Sequence, residues 1–235
     1  MTCAGVDGCR GGWVVVTSTA NDALDAFWAS SFAEIIAALP ADTTLAVDMP
    51  IGLTDAGARD CDRAARQFLG RPRASSVFPA PIRPCLQAPD RASADAIGRR
   101  IDGRGVGAQA YNLFTKVREV DQVLTADSEL TQRVHEAHPE VCFRVMAGGN
   151  GPGHSKRSTA GQAERRALLV DSLAGGPSVF KRLRQRLPRG HVGDDDLSDA
   201  LAVYWTAQRI RSGQARGLPE PAPRDRFGLP MQIVY

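Results

Sequence analysis

Four aspartates stand where their chemistry can be shared. Asp7 ends the apolar run 2–7 and Asp48 follows the run 43–47, so both belong at the C-terminal ends of buried strands, where the ligand sites of open α/β sheets gather. Asp196 and Asp199 are three residues apart in a helical segment, a spacing that puts them on one helix face. Asp195, four residues before Asp199, competes with Asp196 for that face. Converging carboxylates bind hard divalent cations. Mg²⁺ takes oxygen ligands in near-octahedral geometry and keeps several waters, so a few acids and substrate phosphate oxygens complete its shell. Two such ions about 4 Å apart activate a water and stabilise the leaving oxygen in phosphodiester cleavage. Singly, Asp196 also suits a helix cap and Asp7 a turn; the chemistry rests on the four together.

The elements that must position them follow from patterning. Residues 2–7 and 12–17 read as strands joined by a glycine-rich turn, hence a hairpin, and 24–28 supplies a third strand. Ser31, with Glu34 three residues on, signals the start of a helix that stops at Pro40. The strand 43–47 follows. Residues 54–135 read as inserted material with helices near 59–69, 91–100 and 107–124 and a proline-dense loop at 79–84, which favours an extended surface segment. The run 140–145 resumes strand patterning. Residues 147–158 form a glycine-rich basic loop, and helices are expected near 160–174, 177–187 and 194–211. The last carries Leu197, Ala200, Leu201, Tyr204 and Trp205 at helical spacing, with acids in its first turn, where the macrodipole favours them. The tail from 219 is proline-rich and ends in the apolar stretch 230–235, expected to dock on the body and a candidate homodimer contact.

Composition narrows the partners. The 235 residues are 43% hydrophobic, 23% charged and 6% aromatic, which excludes collagenous, coiled-coil and largely disordered chains. The formal charge is only +3, so no polybasic field points to nucleic acid or an anionic membrane. Apart from Lys116, Lys156 and Lys181, all 29 basic residues are Arg, as biased base composition or a need for bidentate forks would produce. Five scattered cysteines without a Cys-x-x-Cys pair suit a reducing cytoplasm. No leader pattern or membrane-length apolar run is present, so a cytoplasmic protein with no membrane association is expected.

Longer motifs carry a family resemblance. Gly5-Val-Asp7-Gly-Cys-Arg-Gly-Gly-Trp13, followed by Val47-Asp48-Met-Pro-Ile-Gly-Leu53, resembles the first strand, hairpin and later acidic strand of the ribonuclease H superfamily. Asp196-Leu-Ser-Asp199-Ala-Leu-Ala202 is similar to the last acidic helix of RuvC-type resolvases. Over its whole length the chain resembles the family catalogued as domain of unknown function 429, described as predicted nucleases of ribonuclease H-like fold. The stretches that match are 71–83, 109–121, His138-Pro139-Glu140-Val141 and 228–235. The resemblance implies one α/β domain over 1–235: a ribonuclease H-like mixed sheet of order 3-2-1-4-5 flanked by helices, with the helical insertion 54–135. It implies a nuclease that cuts DNA or RNA with Mg²⁺ or Mn²⁺. Asp7 and Asp48 would be core ligands, and Asp196 and Asp199 the C-terminal pair. Glu140 would add a ligand or general base, with a strand-edge role equally open. Arg10, Lys116, Arg118 and Lys156 are candidates for contact with substrate phosphates, which position nucleic acid without reading its sequence.

Two other classes remain open on the sequence. Phosphotransferases of the actin and sugar-kinase type also set a glycine-rich hairpin and an Asp around ATP phosphates, but need two lobes where this chain has room for one plus an insertion. A non-catalytic binding module would keep the fold and grip a partner through Arg71 or Arg83. Three decoys fail. Residues 148–156 have the glycine spacing of a phosphate-binding loop, but His154 stands where its lysine is required. His135 and His138 lack further ligands for a zinc site, and Ser75 and Ser76 have no evident base.

Overall fold

A computed structural model describes residues 2–19 and 23–235; Met1, from which the chain was expected to run directly into the first strand, and residues 20–22 lie outside it. The chain divides into two compact units. The first holds residues 1–49, 132–216 and 234–235, and the second 50–131 and 217–233. The first part of the chain contributes strands β1 (Cys3–Cys9), β2 (Gly12–Ser18) and β3 (Leu24–Ala29), helix α1 (Phe32–Ala38) and strand β4 (Thr44–Val47). Helices α2 (Asp60–Leu69), α3 (Arg91–Asp102), α4 (Ala108–Asn112) and α5 (Phe114–Ala126) follow. Then come β5 (Val134–Ala137), α6 (Pro139–Met146), α7 (Thr159–Ser172), α8 (Ser178–Arg186), α9 (Asp194–Arg211) and the short β6 (Gly217–Leu218) and β7 (Ile233–Val234).

In the first unit the strands run in the order β3-β2-β1-β4-β5, the order the resemblance implied. β1 pairs antiparallel with β2 and parallel with β4, β2 pairs antiparallel with β3, and β4 parallel with β5, so the sheet is mixed. Alternation along the strands sorts the two faces. Trp13 is turned to the face covered by α1, where its ring lies 5.5 Å from that of Phe32. Cys3, Val14, Val16 and Ala46 turn to the other face and form one core with Phe143, Leu169, Leu183, Leu197 and Leu201 of α6 to α9. Ser31 caps α1 as its spacing foretold, its hydroxyl accepting from Glu34 N at 3.2 Å, while the Glu34 carboxylate accepts from the N–H and hydroxyl of Ser30 at 2.8 Å each.

Helix α9 is set directly on β1. A β-carbon at Gly5 would lie 2.3 Å from Ala200 O and Tyr204 N, both backbone atoms, so only glycine lets the helix approach this closely.

The expected strand at 140–145 is instead helix α6, and the strand lies just before it at β5. The run Glu-Val-Cys-Phe-Arg-Val has strand composition, but strand propensity is a weak prior. Pro139 at the first helical position and Glu140 in the first turn start a helix, and burial of Val141, Cys142 and Phe143 secures it. The helix expected over 107–124 is broken at Leu113 into α4 and α5.

The second unit is held by arginines turned inward. Arg59 donates to Ile51 O at 3.1 Å and to Asp62 at 2.5 Å, and both side chains are buried. Arg66 binds Val77 O through two nitrogens at 2.9 and 2.7 Å. Arg83, offered by the sequence as a grip on a partner, is buried between Asp121, at 2.7 Å, and Asp225. Its guanidinium also stacks on Phe227.

Leu229, Met231, Ile233 and Val234 of the apolar tail are buried within the chain, as the expected docking on the body requires. Among the described residues, no helix is long and apolar enough to cross a membrane.

The Gly5 contact yields a test. Gly5→Ala forces a methyl into the α9 backbone, and overpacking at a site with no flexible neighbour is expected to cost about 3 kcal/mol in urea denaturation. Wild-type stability in that variant would show that α9 does not rest on β1.

Candidate functional site: a buried acid cluster

The register of the sheet brings the first two acids together. Val6 pairs with Val47 in the parallel β1–β4 ladder, and Asp48 N donates to Val6 O at 2.9 Å, so Asp7 and Asp48 leave the ends of neighbouring strands side by side. Alternation turns Asp7 to the same face as Gly5, and Asp48 to the same face as Ala46, the face that α9 covers. From the Gly5 contact to Asp7 is two strand residues, about 6.6 Å, and from Tyr204 back to Asp199 is five helical residues, about 7.5 Å. The first turns of α9 therefore lie over the strand ends. Asp7 and Asp199 are each 7% exposed, whereas Asp48 and Asp196 are half-buried. Asp195 is exposed, while the charge of half-buried Asp196 bears on Asp7.

Asp7 Oδ1 accepts from Gly8 N at 2.8 Å. Asp196 Oδ2 accepts from Gly193 N, the residue that caps α9, at 2.8 Å, and its charge bears on Asp7, so it serves the helix end and the cluster together. One cation enters among the acids: Lys156 Nζ donates to Asp199 Oδ2 at 3.1 Å.

Glu140 lies in the same unit but is held differently. Arg165 of α7 donates to its two oxygens through Nε at 2.9 Å and Nη2 at 2.8 Å, and both side chains are buried. Arg165 also binds Gly161 O at 2.8 Å. Glu140 is thus a member of the wall whose two oxygens are already paired, although its charge is still felt by Asp48 and Asp199.

The electrostatics follow from burying like charges. Burial pushes Asp7 well above the usual carboxylate range, the charges of Asp48, Asp199 and Asp196 push it further, and Lys156 opposes them. Burial raises Asp48 to about 7 against the pull of Lys156, with Glu140 adding to the rise. Burial raises Asp199 to about 7 as well, again against Lys156, with Asp48 and Glu140 on the raising side. Burial alone would lower Lys156; Asp199, Asp48 and Asp7 outweigh it and drive its pKa up, so its ammonium is charged.

The remaining expected contacts separate. Arg10 is exposed on the β1–β2 turn, just beyond the end of β1 that carries Asp7. Lys116 and Arg118 belong to α5 in the second unit, where Arg118 is spent on Leu86 O at 3.1 and 2.6 Å. Arg165 was missed by the sequence reading: it lies on a helix among many arginines, and nothing in its spacing marks its pairing with Glu140.

The donor set suits a hard divalent ion. It is all oxygen, buried, and has four aspartates facing one lysine once Glu140 and Arg165 cancel. Among the described residues, no three of these five carboxyl groups bring one oxygen each within 4.8 Å of one another. The acids therefore do not form a tight single-ion cage; an ion would draw them in or be shared between them.

Fold and site define an α/β protein with a mixed 3-2-1-4-5 sheet and a carboxylate cluster at the sheet's C-terminal edge. The family model described as "Protein of unknown function (DUF429)" matches residues 5–224, and the chain belongs to that family. No curated protein and no solved structure matches it.

Two measurements check the charge arrangement. In a chelator, folded Asp48 and Asp199 hold protons that unfolded carboxylates release near pH 4, so their contribution favours folding as pH falls from 7 toward 4 and disfavours it as pH rises through 7. Asp48→Asn is expected to raise Tm by about 5 °C at pH 8 and by less than half as much at pH 5; equal effects at both values would refute the raised pKa. Arg165→Met, which strands Glu140, should cost about 3–5 kcal/mol, with part of the loss recovered in Glu140→Met/Arg165→Met. Urea denaturation of the two variants gives the comparison.

Proposed function

We propose that this protein is a divalent-metal-dependent nuclease that hydrolyses phosphodiester bonds of DNA or RNA. The observation that carries the reading is the convergence of Asp7, Asp48 and Asp199, from two neighbouring strand ends and the helix above them, into one buried cluster with Lys156 as its cation. Asp7, Asp48, Asp199 and Asp196 are the residues that would hold Mg²⁺ or Mn²⁺. Bound there, the metal would supply Lewis acidity and a water of lowered pKa at the phosphorus. Carboxyl groups too widely spread for one tight cage are compatible with ligands divided between two ions.

The chain's own groups then have distinct tasks. Asp7 and Asp48 are positioned by strand register and need no side-chain motion to stay at the edge of the sheet. Glu140, clamped by Arg165, contributes negative charge without competing for substrate. Arg10, exposed on the turn beyond β1, and Lys156, bound to Asp199, would offer cations to a phosphate, whereas Arg118 is engaged by its bond to Leu86 O.

Ligation requires deprotonated carboxylates. With Asp48 and Asp199 at about 7, metal affinity and cleavage should both rise as pH increases from 6 to 8. The decisive assay presents junction, hybrid, duplex and single-stranded DNA and RNA with Mg²⁺ or Mn²⁺ to the purified protein. Cleavage that disappears with a chelator and falls by at least about a thousandfold in Asp7→Asn is expected. Absence of cleavage from every substrate with either metal would falsify the reading.

A further inference from the structure

Lys156 is half-exposed, yet its ammonium reaches an oxygen of an aspartate that is almost fully buried. That bond to Asp199 is its one side-chain hydrogen bond among the described residues. The backbone just before it is anchored: His154 N donates to Glu164 at 2.9 Å, and His154 O accepts from Arg165 Nη1 at 3.3 Å. Two residues beyond it, Ser158 N returns to Ser155 O at 2.9 Å. The root of the lysine is therefore fixed beside the acids while its four-carbon stem can turn. An ammonium and a divalent ion cannot share Asp199 comfortably. With Nζ at 3.1 Å and a Mg²⁺–oxygen bond of about 2.1 Å, the two cations would lie within about 5 Å of each other. Their repulsion is twice that of two unit charges at that separation.

We propose that Lys156 is an exchangeable counter-cation: it and a divalent metal compete for Asp199, and the ion's arrival turns the ammonium outward to meet a non-bridging oxygen of the phosphate substrate. This rests on reading the acids as a metal site. It gives Lys156 two alternating partners, a carboxylate and a phosphate, and makes it a positioning residue whose place is set by the charge state of the cluster. The geometry suits the exchange because only the side chain has to move; the backbone ties at His154 and Ser158 stay in place.

The chain has three lysines, Lys116, Lys156 and Lys181, so lysine side-chain NMR can follow each of them in the unaltered protein. Titration with Mg²⁺, without nucleic acid, is expected to shift the Lys156 Nζ resonance and leave Lys116 and Lys181 in place. Calorimetry with Mn²⁺ should find Lys156→Met binding about tenfold more tightly than wild type, and Lys156→Arg close to wild type. A Lys156 signal unmoved at saturating Mg²⁺, or equal or weaker Mn²⁺ binding by Lys156→Met, would overturn the competition, as would the absence of any metal binding. If the Lys156 signal and the affinity both shift but no nucleic acid is cut, competition stands and the nuclease reading fails. If wild-type protein cuts nucleic acid while the lysine and the affinity are unmoved, the reverse holds.

Discussion

Helix α9 meets β1 backbone to backbone at Gly5, at a distance where even a methyl group would collide with Ala200 and Tyr204. So close a contact fixes the height and direction of the helix over the sheet, and with them the place of its first turns. Register does the same for the strands, since the Val6–Val47 pair leaves Asp7 and Asp48 adjacent. Acids from opposite ends of the chain are thereby forced together, with Asp7 and Asp199 almost fully buried and Asp48 and Asp196 half-buried beside them. Packing of this rigidity is what allows such an arrangement to persist, because a softer frame would relax by letting the carboxylates part.

The cost of that enforced proximity is visible in the protonation of the cluster. Burial lifts Asp7, Asp48 and Asp199 together, and Lys156 only partly offsets the effect. Glu140 adds to the rise of Asp48 and Asp199 even though Arg165 pairs both of its oxygens. An Arg fork is the right device for that position. It satisfies both carboxylate oxygens at once and has a further N–H for Gly161 O, which a lysine could not match. The arginine-heavy composition has a structural use in the second unit too, where Arg59, Arg66, Arg83 and Arg118 tie loop carbonyls and buried acids.

Much of this was legible in the sequence, for identifiable reasons. The hairpin, α1 with its Ser31 cap and the long α9 follow from period and capping signals that act within a few residues. Asp7 and Asp48 were recognisable because they follow apolar runs. Spacing alone left Asp195 and Asp196 open, since both fit a helix; the family likeness pointed to Asp196, and the orientation of α9 on the sheet leaves Asp195 exposed and Asp196 half-buried. Residues 140–145 misled because local composition favoured a strand while a proline and the tertiary core selected a helix. The partnerships of Glu140 with Arg165 and of Lys156 with Asp199 connect separate elements, and no local pattern records such pairings.

A formal charge of +3 misdescribes how the cationic groups of this protein are distributed. Many of its arginines face inward or are bound to acids, so the cationic surface that is free for phosphates is smaller than the count of 29 basic residues implies. Once the acid cluster loses its protons, its carboxylates outnumber the one ammonium, and the local charge would repel a phosphate. On the proposed reading, each divalent ion held there would offset two of those charges, and the same event would release Lys156 to add its own. Attraction to a phosphate substrate would then be created at the site by ion binding. It would not be spread over the surface, so on that reading the protein would grip nucleic acid chiefly where it could also act on it.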